Sequence, residues 1–105
     1  MSVYVDFLMD TLRSPQWPYD KACHLFADTE EELHVTARAI GLHRSWFQCK
    51  RGKLPHYDLN RGMRAKAVTA GAIALVNPEA GLKMREIKQA RKETPCLPAP
   101  RSHER

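Results

Sequence analysis

The chain has 105 residues, of which 43% are hydrophobic and 28% charged, with a formal net charge of +5. That length fits one domain of ordinary size and leaves no room for a second independent core, and the apolar fraction is too high for a natively disordered chain. No run approaches the roughly 20 apolar residues that span a bilayer, and the opening Met1-Ser2-Val3-Tyr4-Val5-Asp6 lacks the basic and apolar regions of a secretory leader, so the expected setting is the cytoplasm with no membrane partner.

In chain order, Val3-Tyr4-Val5 is a β-prone run that delivers Asp6 to the carboxyl end of a first strand. Between Asp10 and Asp20, Pro15 and Pro18 flank Trp17. Neither a helix nor a central strand tolerates that density of proline, so a loop with an aromatic anchor is predicted. Cys23-His24-Leu25-Phe26-Ala27 is compact and apolar and predicts a second, mostly buried strand. Thr29-Glu30-Glu31-Glu32 is a capping box, and the helix it opens should run from about Glu30 to Ile40 with Leu33, Ala37 and Ile40 on its buried stripe. Gly41 supplies the stop, and His34 falls one position off the stripe, at its border with solvent.

Trp46-Phe47-Gln48 reads as a short strand or an extended aromatic anchor, and Lys50-Arg51-Gly52-Lys53 as a basic turn. His56-Tyr57-Asp58 is expected in a loop just before a second helix, which Asp58 or Asn60 would cap. That helix should reach about Ala70, with Met63, Ala67 and Ala70 inward and Gly71 as its stop, and Ala72 to Val76 predicts a further strand. Asn77-Pro78 then opens a basic helix over residues 78–92, amphipathic through Leu82 and Ile87. The Pro-rich segment 94–105 is expected to be a flexible tail. The pattern predicts one α/β domain over residues 1–93, a small and partly parallel sheet covered by about three helices.

In order along the chain, His24-Leu25, Ala27-Asp28-Thr29, Glu32-Leu33-His34, Ala37, Gly41-Leu42, Trp46-Phe47, His56-Tyr57-Asp58 and Ala70-Gly71-Ala72 resemble a family of short bacterial and phage proteins known only as a domain of unknown function. The likeness covers about residues 2–76 and leaves the basic helix and the tail outside it. It implies a bacterial or phage setting and brings no activity with it.

Asp6, His24, Asp28, His34, His56 and Asp58 supply imidazole and carboxylate groups able to work near neutral pH. If His24, His34 and His56 converge, they and Asp58 make a set suited to an enzyme acting on a phosphoester or nucleotide. His56-Tyr57-Asp58 beside a helix N-terminus would also suit an anion, while Asp28, Tyr57 and Trp46 are read as binding residues. Each has an ordinary structural use as well: a carboxylate can cap, and an aromatic ring can pack. No His-Glu-x-x-His or comparable ligand string occurs, so no metal ligand is assigned and no cofactor is expected, with a divalent cation as the lesser alternative. The three cysteines are widely spaced and odd in number and are expected as free thiols. Cys23 and His24 are not a catalytic pair, because strand neighbours face opposite ways.

Charge divides the chain. Residues 1–42 hold three Lys and Arg against seven Asp and Glu, and residues 43–105 hold fourteen against five. Arg51, Lys53, Arg61, Arg64, Lys83, Arg85 and Lys88, with Trp46 and Tyr57 as stacking surfaces, make nucleic acid or a nucleotide-handling protein the leading partner of a small accessory binding protein. The second expectation is the His/Asp-dependent enzyme, and the third a phage inhibitor or adaptor that binds a host protein.

Overall fold

The computed structural model describes residues 2–49 and 54–90. The predicted basic turn, with Arg51 and Lys53, and the predicted tail at 94–105 lie outside the described residues. Three strands open the chain: β1 (Val3–Val5), β2 (Met9–Asp10) and β3 (Lys21–Ala27). Both β1 and β2 run antiparallel along one edge of β3, with Val5 opposite Leu25 and Met9 opposite Ala22. The register moves by one residue between these two ladders, so Asp6–Leu8 forms a bulge.

The segment from Thr11 to Asp20 is the predicted loop, and it closes the β2–β3 hairpin. Ser14 and Trp17 exchange backbone hydrogen bonds of 2.9 and 3.0 Å, while the Trp17 indole N–H donates to the Lys21 carbonyl at 3.2 Å. Tyr19 packs edge-on against that indole.

The other edge of β3 carries β4 (Tyr57–Leu59), with Leu59 opposite Cys23, Asp58 opposite His24 and Tyr57 opposite Leu25. On the far side, β5 (Ile73–Ala74) runs parallel to β1. The sheet is therefore mixed, with β5, β1, β3 and β4 in turn and β2 beside the far end of β3, and it fits the predicted small, partly parallel α/β fold.

Three helices, α1 (Glu30–Ala39), α2 (Arg61–Thr69) and α3 (Glu79–Ala90), cover it. At the start of α1 the Thr29 hydroxyl oxygen accepts from the Glu32 backbone N–H at 3.2 Å, and the hydroxyl donates to the Glu32 carboxylate at 2.8 Å. Asn60 caps α2 by accepting from the Met63 N–H at 2.8 Å. Gly41 and Gly71, at φ of +90° and +114°, take the left-handed turns that end α1 and α2.

Two apolar clusters lie on the two sides of the sheet. Val5, Cys23, Leu25, Tyr57 and Leu59 pack with Leu33 and Ala37 of α1, Ile40 at its C-terminal cap and Ala67 of α2. Tyr4 and Phe26 pack with Ile87 of α3, with Met84, Leu75 and Leu54 around them. Alternation along a strand makes this division, because Tyr4 and Val5, like Leu25 and Phe26, are neighbours with opposed side chains. Leu25 is fully buried and has a strand partner on each side, Val5 and Tyr57.

Several local expectations change. His56-Tyr57-Asp58 is not a loop at a helix N-terminus; its last two residues begin β4, and His56 makes a bridge with Gln48. Asn60, not Asp58, is the cap. In place of a strand at 46–48, Arg44–Trp46 makes one 3-10 turn and only Gln48 pairs, because the chain must turn from α1 to lie beside His56 at the start of β4. The strand predicted over 72–76 narrows to Ile73–Ala74. On α3 the inward residues are Ala80, Met84 and Ile87, at positions four and three apart, and Leu82 is 57% exposed. Cys23 is a buried free thiol as expected, whereas Cys49 is disulfide-bonded, since spacing in sequence does not limit distance in space. No helix among the described residues is long and apolar enough to cross a membrane.

Candidate functional site

The site follows from the parity of β3 and β4. Leu25 and Tyr57 face α1, so their neighbours His24, Asp58 and His56 must face the other way. On that side α3 covers Phe26 and Tyr4, and His24, one alternation further toward the hairpin, stays half-buried. The His24 and His56 rings meet edge to face with centroids 5.0 Å apart. His56 Nε2 lies 3.5 Å from Asp58 Oδ1, and the Gln48 amide donates to Asp58 Oδ2 at 2.5 Å.

Asp6 organises His24 from behind. It is 2% exposed, and the bulge at Asp6–Leu8 turns its carboxylate along the strand edge. One oxygen accepts the His24 backbone N–H at 2.6 Å, and the other takes the ring Nδ1–H at 2.7 Å. Arg64, predicted as a binding residue, donates its Nε–H to the Asp6 carbonyl at 2.8 Å and so braces this segment from α2. The hydrogen bond that His24 donates to Asp6 raises its pKa above the usual histidine value, against the opposing effect of burial. His56 is held by its Nδ1, which donates to the Leu54 carbonyl at 2.7 Å.

His24 and Asp58 open into a cleft of about 850 Å³. Its walls are Met9 and Ala22 from the β2–β3 hairpin, Trp17 and Tyr19 from the hairpin loop, Trp46 and Ser45 from the 3-10 turn, and Met63 of α2. Trp46 is 51% exposed. An open, aromatic cleft with a few converging polar groups on one wall is the usual form of a small-molecule site.

The remaining predicted residues are elsewhere. His34 does not join His24 and His56. It lies on the α1 side of the sheet, with its Nδ1 2.9 Å from the Tyr57 hydroxyl and its ring edge-on to Phe47. Tyr57 is 1% exposed and belongs to the core. Asp28 is a structural tie, accepting the Ser2 N–H at 2.9 Å and facing the Tyr4 hydroxyl with both oxygens at 3.2 Å. Arg61, Arg85 and Lys88 are exposed on α2 and α3, and Lys83 pairs with Glu86 at 3.2 Å. Cys23 is buried beside the site, and desolvation pushes its thiol up to about 12, which leaves it unreactive near neutral pH.

The sequence assigns Gln48, the Leu54 carbonyl, Trp17 and Tyr19 no part in a site, although Trp17 is the aromatic anchor of the predicted loop. Only the Gln48–His56 bridge and the hairpin geometry reveal them. Asp6 was visible as an acid at a strand end, but its bond to His24 depends on the β1–β3 register.

No curated protein and no solved structure matches the chain. A family model aligns with residues 3–87, past Val76 and as far as Ile87 of α3, a residue of the second apolar cluster. The chain belongs to the family described as protein of unknown function DUF4031.

Proposed function

We propose that the His24–His56–Asp58 cleft is the reactive centre of a small hydrolytic enzyme acting on a phosphoester or nucleotide. The observation that carries this reading is convergence: two imidazoles and a carboxylate, drawn from paired strands and an adjacent bridge, come within 4.8 Å of one another, and His24 and Asp58 among them line one cleft. Such a cluster can hold a water against phosphorus. In the net reaction the water oxygen bonds to phosphorus, the ester P–O bond breaks, and the proton given up by the water ends on the departing oxygen. Trp17, Tyr19 and Trp46 offer faces on which a base can stack. The excess of Lys and Arg beyond residue 42, including Arg61, Lys83, Arg85 and Lys88, favours the approach of a polyanion. The nucleic acid or nucleotide-handling partner expected from the sequence becomes on this view a means of presenting substrate. The cytoplasm of a bacterial or phage-infected cell is the setting we attach to it.

The test is a substrate panel of p-nitrophenyl and bis-p-nitrophenyl phosphate, nucleoside triphosphates, and single-stranded DNA and RNA, run with added divalent cations and after chelation. Turnover is expected, with losses of about 100-fold or more in His24→Gln and in Asp58→Asn. His34→Gln, on the other side of the sheet, should stay within about twofold. Absence of turnover across the panel, or turnover indifferent to both cleft substitutions, overturns the reading.

A further inference from the structure

The hydrogen bonds behind the two cleft histidines fix which ring nitrogens face each other. The Leu54 carbonyl can only accept, so the proton of a neutral His56 is on Nδ1 and its Nε2 presents a lone pair. Asp6 is a buried carboxylate already taking the His24 backbone N–H, so a neutral His24 likewise carries its proton on Nδ1 and presents a lone pair at Nε2. Asp58 Oδ2 is engaged by the Gln48 amide, and Oδ1 is turned to His56. With both rings neutral, two imidazole lone pairs and a carboxylate oxygen lie within 4.8 Å of one another, an arrangement that favours a positive charge among them, supplied by a proton on His24 or by a bound cation that competes with it.

From this geometry we infer that His24 Nε2, His56 Nε2 and Asp58 Oδ1 are the protein ligands of one divalent cation of the zinc class, with the open side of its coordination shell toward the cleft. The inference rests on the reading of this cleft as the reactive centre and names the cofactor it would use. Ligand atoms of the three residues lie within 4.8 Å of one another, the only such trio of histidine, cysteine or acidic side chains among the described residues. The 3.5 Å between His56 Nε2 and Asp58 Oδ1 already matches the edge of a tetrahedron with bonds of about 2.0–2.2 Å.

Each ligand is also backed by an outer partner, as metal-binding histidines and carboxylates regularly are: Asp6 behind His24, the Leu54 carbonyl behind His56 and Gln48 behind Asp58. Two nitrogens in three ligands select Zn²⁺ and its first-row neighbours over Mg²⁺ and Ca²⁺, which prefer all-oxygen sets. Three protein ligands and one open position are the pattern of a catalytic, not a structural, zinc centre. Sequence spacing hides the set, because His24 and Asp58 are brought side by side only by the β3–β4 ladder.

The experiment is calorimetric titration of the full chain, stripped with chelator, with ZnCl2 and in parallel with MgCl2, together with visible absorption of the Co²⁺-loaded protein. One Zn²⁺ per chain is expected, with Mg²⁺ at least about 100-fold weaker. His56→Gln and Asp58→Asn should abolish the Zn²⁺ isotherm and the Co²⁺ ligand-field bands while circular dichroism stays native. Asp6→Asn, which removes an outer partner and no ligand, should weaken Zn²⁺ binding by roughly 10–100-fold. His34→Gln should bind as the parent does. Absence of Zn²⁺ binding, or binding unchanged in both Asp58→Asn and His56→Gln, overturns the cation site. Turnover by chelated protein that binds no Zn²⁺ would remove the cation and keep the hydrolytic reading. Zn²⁺ binding that depends on these residues, without turnover of any substrate, would keep the cation and remove the hydrolytic reading.

Discussion

His34 and His24 lie on opposite sides of the same pair of strands, and their surroundings make different groups of them. His34 is enclosed by Phe47, Tyr57 and α1, with Glu30 3.6 Å from its Nε2. Burial, aided by the charge of Arg44, lowers its pKa below the usual histidine value against the pull of Glu30. His24 is gripped by a buried carboxylate and raised, with its other nitrogen free toward a cleft. A histidine in a sequence motif is therefore not yet a functional group. What its second nitrogen meets decides whether it packs or reacts.

This contrast predicts a separation of effects. The largest belongs to the packed side, where Leu25 joins three strands: Leu25→Ala should cost about 2–5 kcal/mol in urea denaturation. A loss below about 1 kcal/mol would mean that the sheet centre is not the main core. Next in size, Tyr57→Phe removes the hydroxyl facing His34 and should cost about 1 kcal/mol while leaving Zn²⁺ affinity as it was. Weakened Zn²⁺ binding in that variant would show that the two sides are coupled.

The smallest effect is a pH dependence. Because the folded-state pKa of His34 is depressed, the unfolded chain binds the proton more readily. The stabilising contribution is then complete above the unfolded-state value of about 6.5 and is lost as pH falls through it toward the folded value. The slope of urea midpoint against pH between 7.5 and 5.5 should be shallower in His34→Gln than in the parent. Equal slopes would contradict a desolvated, neutral His34.

Local chemistry made much of the fold legible. Thr29 as a cap, Gly41 and Gly71 as stops and Val3–Val5 as a strand each depend on a few adjacent residues, and all stand where the sequence put them. His34, one position off the apolar stripe, is half-buried as that position implies. Three of the short elements escaped, because β2, β4 and the turn at Arg44–Trp46 are too short to show a period. Leu82 is exposed because the side of α3 that meets Tyr4 and Phe26 carries Ala80, Met84 and Ile87, and hydrophobicity alone does not tell that side. The site was legible as residue types and not as a constellation. Its assembly needs two long-range registers, β1 on β3 for Asp6 and β4 on β3 for Asp58, and no single segment encodes either.

The pairing of β4 with β3 also acts as its own proofreader. A slip of one residue would exchange Tyr57 with Asp58, driving a carboxylate into the space between β3 and α1 and pushing a phenol ring out toward the cleft. Both consequences are costly, so Asp58, a residue that would make the protein reactive, also rejects the misaligned chain. With the proposed cation site, Zn²⁺ loading would become a readout of correct folding: only molecules that chose the right partner for Tyr57 can present His24, His56 and Asp58 together.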